Sequence, residues 1–175
     1  MQFTTSQRKS RGIPRSPRDR SGEASGRSAY FLDLDNLVGT GKPTRHQIDE
    51  VFSAFEAAFD PGPGDQVYCA GTSSTAALAG LARPGYLVRS GWGRDGADRR
   101  LIELADPAFL ANRFQKVVIG SGDGVFAGLV EKLRSAGLDV ELVTGRGLLH
   151  QALYRSVAPL EKGAPTPRIQ LALAA

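Results

Sequence analysis

Aspartate is the residue type with most to say about chemistry in this chain, because it recurs at three places beside small residues where a ligand can approach the backbone. The places are Phe31-Leu32-Asp33-Leu34-Asp35-Asn36, Asp95-Gly96-Ala97-Asp98 and Gly120-Ser121-Gly122-Asp123-Gly124. Carboxylates that converge on one crevice repel one another and raise one another's pKa unless a divalent cation neutralises them. Oxygen-only ligands suit Mg²⁺ or Mn²⁺, and the absence of a Cys/His cluster argues against zinc. A hard cation held by two or three Asp, with open positions, can bridge a phosphate oxygen and activate water for in-line attack. The same residues also have plainer uses. Asp98 and Asp123 stand where helix N-caps are expected, and Asn36 could orient a carboxylate, donate to phosphate or simply make a turn.

These acids need elements to position them, and short apolar runs alternating with amphipathic stretches predict βαβ units around a mainly parallel sheet. Five strands are expected: Ala29 to Leu34, Gln66 to Ala70, Tyr86 to Arg89, Lys116 to Ile119 and Asp139 to Val143. Helices are expected from Thr44, a candidate cap, through Phe59; over Ser74 to Leu81; from Ala97 through Leu104; over Gly124 to Ala136, with Gly137 as its C-terminal cap; and within Leu148 to Val157. The fold class is a three-layer α/β domain spanning 29–158. The first and fourth strands are nearly all apolar, as central strands covered on both faces must be. If they are neighbours where strand order reverses, their carboxyl ends border the crevice in which open α/β sheets bind ligands.

Composition agrees with one domain of ordinary size: 175 residues, 41% hydrophobic and 23% charged, enough for a core. Without eighteen consecutive apolar residues or an apolar leader, the chain is expected to be cytoplasmic, with no membrane span. Cys69, the single cysteine, lies in an apolar run and reads as a small core residue. Residues 1–28 carry seven basic side chains against Asp19 and Glu23, a charge of +5 that leaves −1 for the remainder. This stretch is rich in Ser, Gly and Pro, and is expected to be a disordered basic arm suited to phosphate backbones. Residues 159–175 read as a C-terminal extension.

Other motifs fall short. Gly39-Thr40-Gly41-Lys42-Pro43-Thr44 lies between a strand and a helix, but Asn36 occupies the place of the first P-loop glycine. Ser121 lies between glycines, yet Ile119 stands where a nucleophile elbow needs Gly, and neither His46 nor His150 has a recognisable relay partner. Around the acids are side chains that suit a polyanion. Trp92, on Ser90-Gly91-Trp92-Gly93-Arg94, could stack a base while Arg94 meets phosphate, or could plug the loop. Arg99 and Arg100 follow Asp98, and Arg146 lies in the loop after the fifth strand, so these three are also candidate phosphate contacts.

The blocks Asp33-Leu34-Asp35-Asn36-Leu37, Gly96-Ala97-Asp98-Arg99-Arg100-Leu101 and Val118-Ile119-Gly120-Ser121-Gly122-Asp123-Gly124-Val125-Phe126 resemble, in that order, the three signature blocks of NYN domains, the LabA/YacP-related group of PIN-like ribonucleases. The resemblance spans roughly Ala29 to Pro159. It implies a PIN-like fold and a metal-dependent endoribonuclease that hydrolyses RNA phosphodiester bonds. Asp33, Asp98 and Asp123 match the acids that hold Mg²⁺ or Mn²⁺, and Asn36 the accompanying amide. Self-association as a homodimer is also implied, although no segment marks a dimer face. Two positions differ from the family pattern: Val125 replaces an acid, and Leu34 replaces a Gly. Asp35 or Asp95 could stand in for the missing acid; otherwise the chain would be a degenerate NYN domain, an RNA-binding or scaffold module. The string Asp33-Leu34-Asp35 also resembles the first motif of haloacid-dehalogenase-like phosphatases, in which the second Asp acts as acid and base. That family's Gly-Thr pair is replaced here by Asn36-Leu37, and Asp98 would lack a role.

Overall fold

Strands β1 (Ser28–Asp33) and β4 (Lys116–Gly120) are buried from their second residue onward, and they are hydrogen-bonded neighbours at the middle of the sheet. β2 (Gln66–Gly71) and β3 (Leu87–Ser90) extend the sheet beyond β1, while β5 (Asp139–Thr144) and β6 (Arg168–Gln170) extend it beyond β4. Every pairing is parallel and the order is β3-β2-β1-β4-β5-β6. The strand order therefore reverses between β1 and β4, as the acid-bearing termini require. In this computed structural model, residues 26–159 and 166–173 are described.

The sheet has six strands where five were expected. The sixth is only three residues long, too short to show a period in the sequence, and it lies inside the segment read as an extension. It pairs with β5 from Leu142 to Thr144 and brings Leu171 into the core. Residues 1–25 of the expected basic arm, and 160–165 and 174–175 of the expected extension, lie outside the described residues.

Alternation along the central strands divides the core into two layers. Tyr30 and Leu32 face α1 (Leu34–Val38), α2 (Arg45–Phe59) and α3 (Ser73–Ala82), meeting Leu37, Ile48, Phe52, Phe55 and Ala79. Ala29 and Phe31 face α4 (Gly96–Leu104), α5 (Pro107–Ala111), α6 (Ala127–Ser135) and α7 (Gln151–Ser156), meeting Leu101, Leu110, Val130, Leu133 and Leu153. Phe31, Phe52, Phe55 and Phe126 are wholly buried, each stabilising the fold by roughly 1.5–3 kcal/mol relative to exposure. Cys69 is buried in the α2 layer, as its apolar surroundings predict, and burial pushes its thiol pKa up.

α2 begins as the sequence indicates. Thr44 and Gln47 form a reciprocal capping box, with Gln47 N–H donating to Thr44 Oγ1 and Thr44 N–H to Gln47 Oε1. Two short helices were not foreseen. α5 starts at Asp106-Pro107, a cap followed by a proline in the first turn. α1 follows β1 with no loop at all, and it matters more because its cap is Asp33. Ahead of α6, Gly124–Phe126 forms a single 3₁₀ turn. Among the described residues no helix is long and apolar enough to cross a membrane.

Candidate acidic metal centre

Asp33 ends β1 and, continuing the alternation of Ala29 and Phe31, belongs to the α4 side of the sheet. One of its oxygens accepts the Asn36 N–H at 3.2 Å and so caps α1; the other accepts the Ser121 hydroxyl at 3.0 Å. Asp98 lies in the first turn of α4, which packs on β1 and β2. Its carboxyl group is buried, like that of Asp33, and near enough for the two to act on one another electrostatically. Asp123, just past β4, caps the 3₁₀ turn by accepting the Val125 N–H at 3.0 Å. Three separate segments thus bring their acids to the carboxyl edge of the sheet, at the point where strand order reverses.

The electrostatics of this edge are those of like charges. Asp33 and Asp98 are 4% and 7% exposed, and the pKa of each is raised. Burial is the largest cause for both, since it disfavours the ionised form. For Asp33, standing well above the ordinary 3.8, the charge of Asp98 comes next. The charges acting on Asp98 include Asp123, Asp95 and Asp35, all negative. Burial and the surrounding negative charge thus favour the protonated form at both Asp33 and Asp98.

Ser121 is the residue that reading for chemistry missed, having considered it only as a nucleophile. It is wholly buried, donates to Asp33 and accepts the Asp123 N–H at 3.1 Å, so one hydroxyl spaces two of the acids. The signal was legible: a Ser two residues before an Asp readily accepts that N–H in a local turn. Asn36 acts as a clamp. Its Oδ1 accepts the Gly122 N–H at 2.8 Å and its backbone carbonyl accepts the Gly147 N–H at 3.0 Å, joining the segments after β1, β4 and β5. The loop after β5 lies so close over Gly122 that a Cβ there would collide with the Leu148 carbonyl.

Asp35, two residues from Asp33, is engaged differently. Its oxygens accept the Thr72 N–H at 2.7 Å and the Thr75 hydroxyl at 2.6 Å, tying α1 to the start of α3. Its charge still acts on Asp98. Asp95, exposed and in the left-handed conformation at φ 55°, contributes no cap bond and remains electrostatically in touch with Asp98.

The candidate phosphate contacts scatter. Arg99 donates to the Trp92 carbonyl at 3.2 Å, Arg100 pairs with Glu103 at 2.8 Å, and Arg146 pairs with Glu50 at 3.0 Å. Arg94 extends into solvent, its Nε 4.0 Å from Asp95. Trp92 is 76% exposed, so it does not plug its loop.

As donors, these residues suit a hard divalent cation: they are all oxygen, two of them are buried, and the charges acting on Asp98 are negative. Among the described residues, no group of three His, Cys, Asp or Glu lies close enough together to enclose an ion. Asp33 and Asp98 are the buried acids of this edge, and Asp123, half-buried, adds its charge beside Asp98.

No family model and no curated protein matches the chain. A solved protein of unknown function from Vibrio parahaemolyticus RIMD 2210633 is similar in structure, with a TM-score of 0.57 and 17% sequence identity, over 78% of this chain and 92% of that one. At that identity the likeness is one of fold alone.

Proposed function

We propose that the chain is a metal-dependent endoribonuclease of the NYN/PIN-like type, acting on RNA in the cytoplasm. The observation that carries this reading is the Asp33–Asp98 pair. Two carboxyl groups, both buried, act on one another at the carboxyl edge of the sheet, with more negative charge around them. Such an arrangement is costly for a structure to keep and useful for holding a cation. Asp33, Asp98 and Asp123 would hold Mg²⁺ or Mn²⁺, which supplies Lewis-acid activation of a phosphoryl group and of water. Ser121 fixes the rotamer of Asp33, and Asn36 holds the β4 loop that carries Asp123. Asp35 accepts Thr72 and Thr75 and so ties α1 to α3 beside the proposed site. That engagement also weighs against the phosphatase reading, in which Asp35 would exchange protons.

A second reading, an RNA-binding module without catalysis, is favoured by Val125. It is 47% exposed where the resembling family carries an acid, so one ligand fewer is at hand. The experiment is incubation of the protein with labelled mixed-sequence RNA in Mn²⁺, Mg²⁺ or EDTA, beside the double variant Asp33→Asn/Asp123→Asn. Metal-dependent cuts absent from the variant are expected. RNA bound but never cut would establish the binding module instead.

A further inference from the structure

Of the chain's two histidines, His150 lies in the connection from β5 to α7, and that connection is pinned to the loop carrying Asp123. The His150 N–H donates to the Gly122 carbonyl at 2.7 Å, and its carbonyl accepts the Tyr154 N–H at 3.1 Å. Its Nδ1 accepts the Ala152 N–H at 3.1 Å and so caps α7. The ring lies over Gly124, so close that a Cβ there would come within 2.7 Å of Nδ1. His150 therefore holds the residues on both sides of Asp123, Gly122 with its backbone and Gly124 with its ring. α7 is itself anchored, since Leu153 is wholly buried in the layer that includes Leu101 and Val130.

Sequence spacing offers His150 no relay partner, but the cap does a similar service. An imidazole nitrogen that accepts a hydrogen bond carries no proton, so the neutral ring keeps its proton on Nε2. The cap is the one side-chain hydrogen bond of His150 among the described residues, and the side chain is exposed. Nε2–H is thus a donor left to solvent or to a ligand. Val125 and Leu148, 47% and 92% exposed on the same flank, have no side-chain donor to offer. Arg99, Arg100 and Arg146 are engaged by the Trp92 carbonyl, Glu103 and Glu50. A neutral donor also suits the place. An arginine or lysine beside Asp123 would pair with that carboxylate and compete with a metal ion for it, whereas Nε2–H can direct a phosphate oxygen and leave the acids free.

We infer that His150 is a substrate-binding residue of this site, its Nε2–H donating to a phosphate oxygen of the strand beside Asp123. The inference rests on the nuclease reading for the site's purpose, and its test separates the two.

Amide side chains tell the two ring nitrogens apart. Asn can place Oδ1 where Nδ1 accepts the Ala152 N–H and has nothing at the position of Nε2; Gln can place an N–H near Nε2 and is poorly set to make the cap. Binding of an end-labelled RNA oligonucleotide to the full chain is measured in Ca²⁺, a hard cation that takes oxygen ligands, and the melting temperature is measured in EDTA. His150→Asn should melt with the parent yet bind RNA more weakly, on the order of tenfold for one hydrogen bond to a charged group. The slope of affinity against salt should not change, because a neutral ring neutralises no phosphate. His150→Gln should show the crossed pattern, melting lower than His150→Asn and binding more tightly. In the parent, nitrogen NMR at about pH 8, where imidazoles are neutral, should place the His150 proton on Nε2, and RNA should shift that resonance more than those of His46. RNA bound by His150→Asn as tightly as by the parent, affinity that follows the melting temperature through both variants, a flatter salt slope, a proton on Nδ1, or no RNA binding by the parent would each overturn the inference. RNA held through His150 but never cut in Mn²⁺ would keep this assignment and overturn the nuclease reading. Metal-dependent cuts by a parent whose affinity His150→Asn leaves untouched would do the reverse.

Discussion

Glu56 and Asp33 are both carboxylates at the margin of the core, and the chain treats them in opposite ways. Glu56, on α2, receives Arg83 through two bonds of 2.6 and 2.8 Å and the Tyr86 hydroxyl at 2.7 Å; its pKa is lowered, chiefly by the Arg83 bond. Arg83 in turn lies over the Phe52 ring at 5.4 Å. Asp33 receives a serine and a backbone N–H, and its pKa is raised, chiefly by burial and then by the charge of Asp98. The contrast shows that this sequence can neutralise an acid with arginine where structure is the aim. At the reversal point of the sheet it leaves the acids to one another, and there the charge is available to a ligand.

The largest effect should come from turning the unpaired acids into a neutral pair. Asp98→Asn is expected to reduce metal-dependent RNA cleavage by at least about a hundredfold, as loss of a ligand exceeds the 10- to 100-fold cost of losing its supports. The same change removes like-charge repulsion and lets an amide donate to Asp33. Thermal unfolding in EDTA should therefore show a fold as stable as the parent or more so, by about 1 kcal/mol. An Asp98→Asn variant that is both inactive and strongly destabilised would mean that the acids serve the fold, and the contrast with Glu56 would collapse.

Much of this division could be read from the sequence. The apolar runs of β1 and β4 located the central strands, and the acids at their ends located the edge. What escaped was short or relational. α1 is five residues, less than two turns, and its Leu34, Leu37 and Val38 pass equally well for the tail of a strand. β6 depends on β5 for its existence. Asp33 and Asp35 are the same residue type two positions apart, yet one is aimed at Asp98 and the other at Thr72 and Thr75. Only the change from strand to helix between them sets those directions, and no spacing rule reports it. Likewise Arg99, Arg100 and Arg146 were legible as cations near the site. Their engagement by the Trp92 carbonyl, Glu103 and Glu50 was not.

A smaller effect is expected on the arginine side of the comparison. Arg83→Ala removes two charge-assisted bonds from Glu56 and a cation from the face of Phe52. Urea denaturation should show a loss of about 1–3 kcal/mol, while RNA cleavage by the folded protein stays within a factor of two or so of the parent. If cleavage fell in step with that at Asp98, the two regions would be coupled and the division between a structural and a functional acid would fail.

The finest test is the sign of the dependence of stability on pH, because the two regions predict opposite slopes. Glu56 has its pKa below the ordinary 4.5, so the stability it contributes is fully present above that value and is lost as pH falls through the lowered one. Asp33 and Asp98 have theirs above the ordinary 3.8, so between that value and the raised ones the folded protein keeps a proton that the unfolded chain has released. Stability from the pair therefore falls as pH rises across that window, by about 1.4 kcal/mol for each tenfold drop in proton concentration. In EDTA, Asp33→Asn should flatten the decline on the upper side and leave the acid limb intact, whereas Glu56→Gln should flatten the acid limb alone. Mn²⁺, binding the ionised pair, should restore stability to the parent at neutral pH and do nothing for Asp33→Asn. A parent and an Asp33→Asn variant with the same upper slope would show that like-charge repulsion at the reversal point is not what sets Asp33 apart from Glu56.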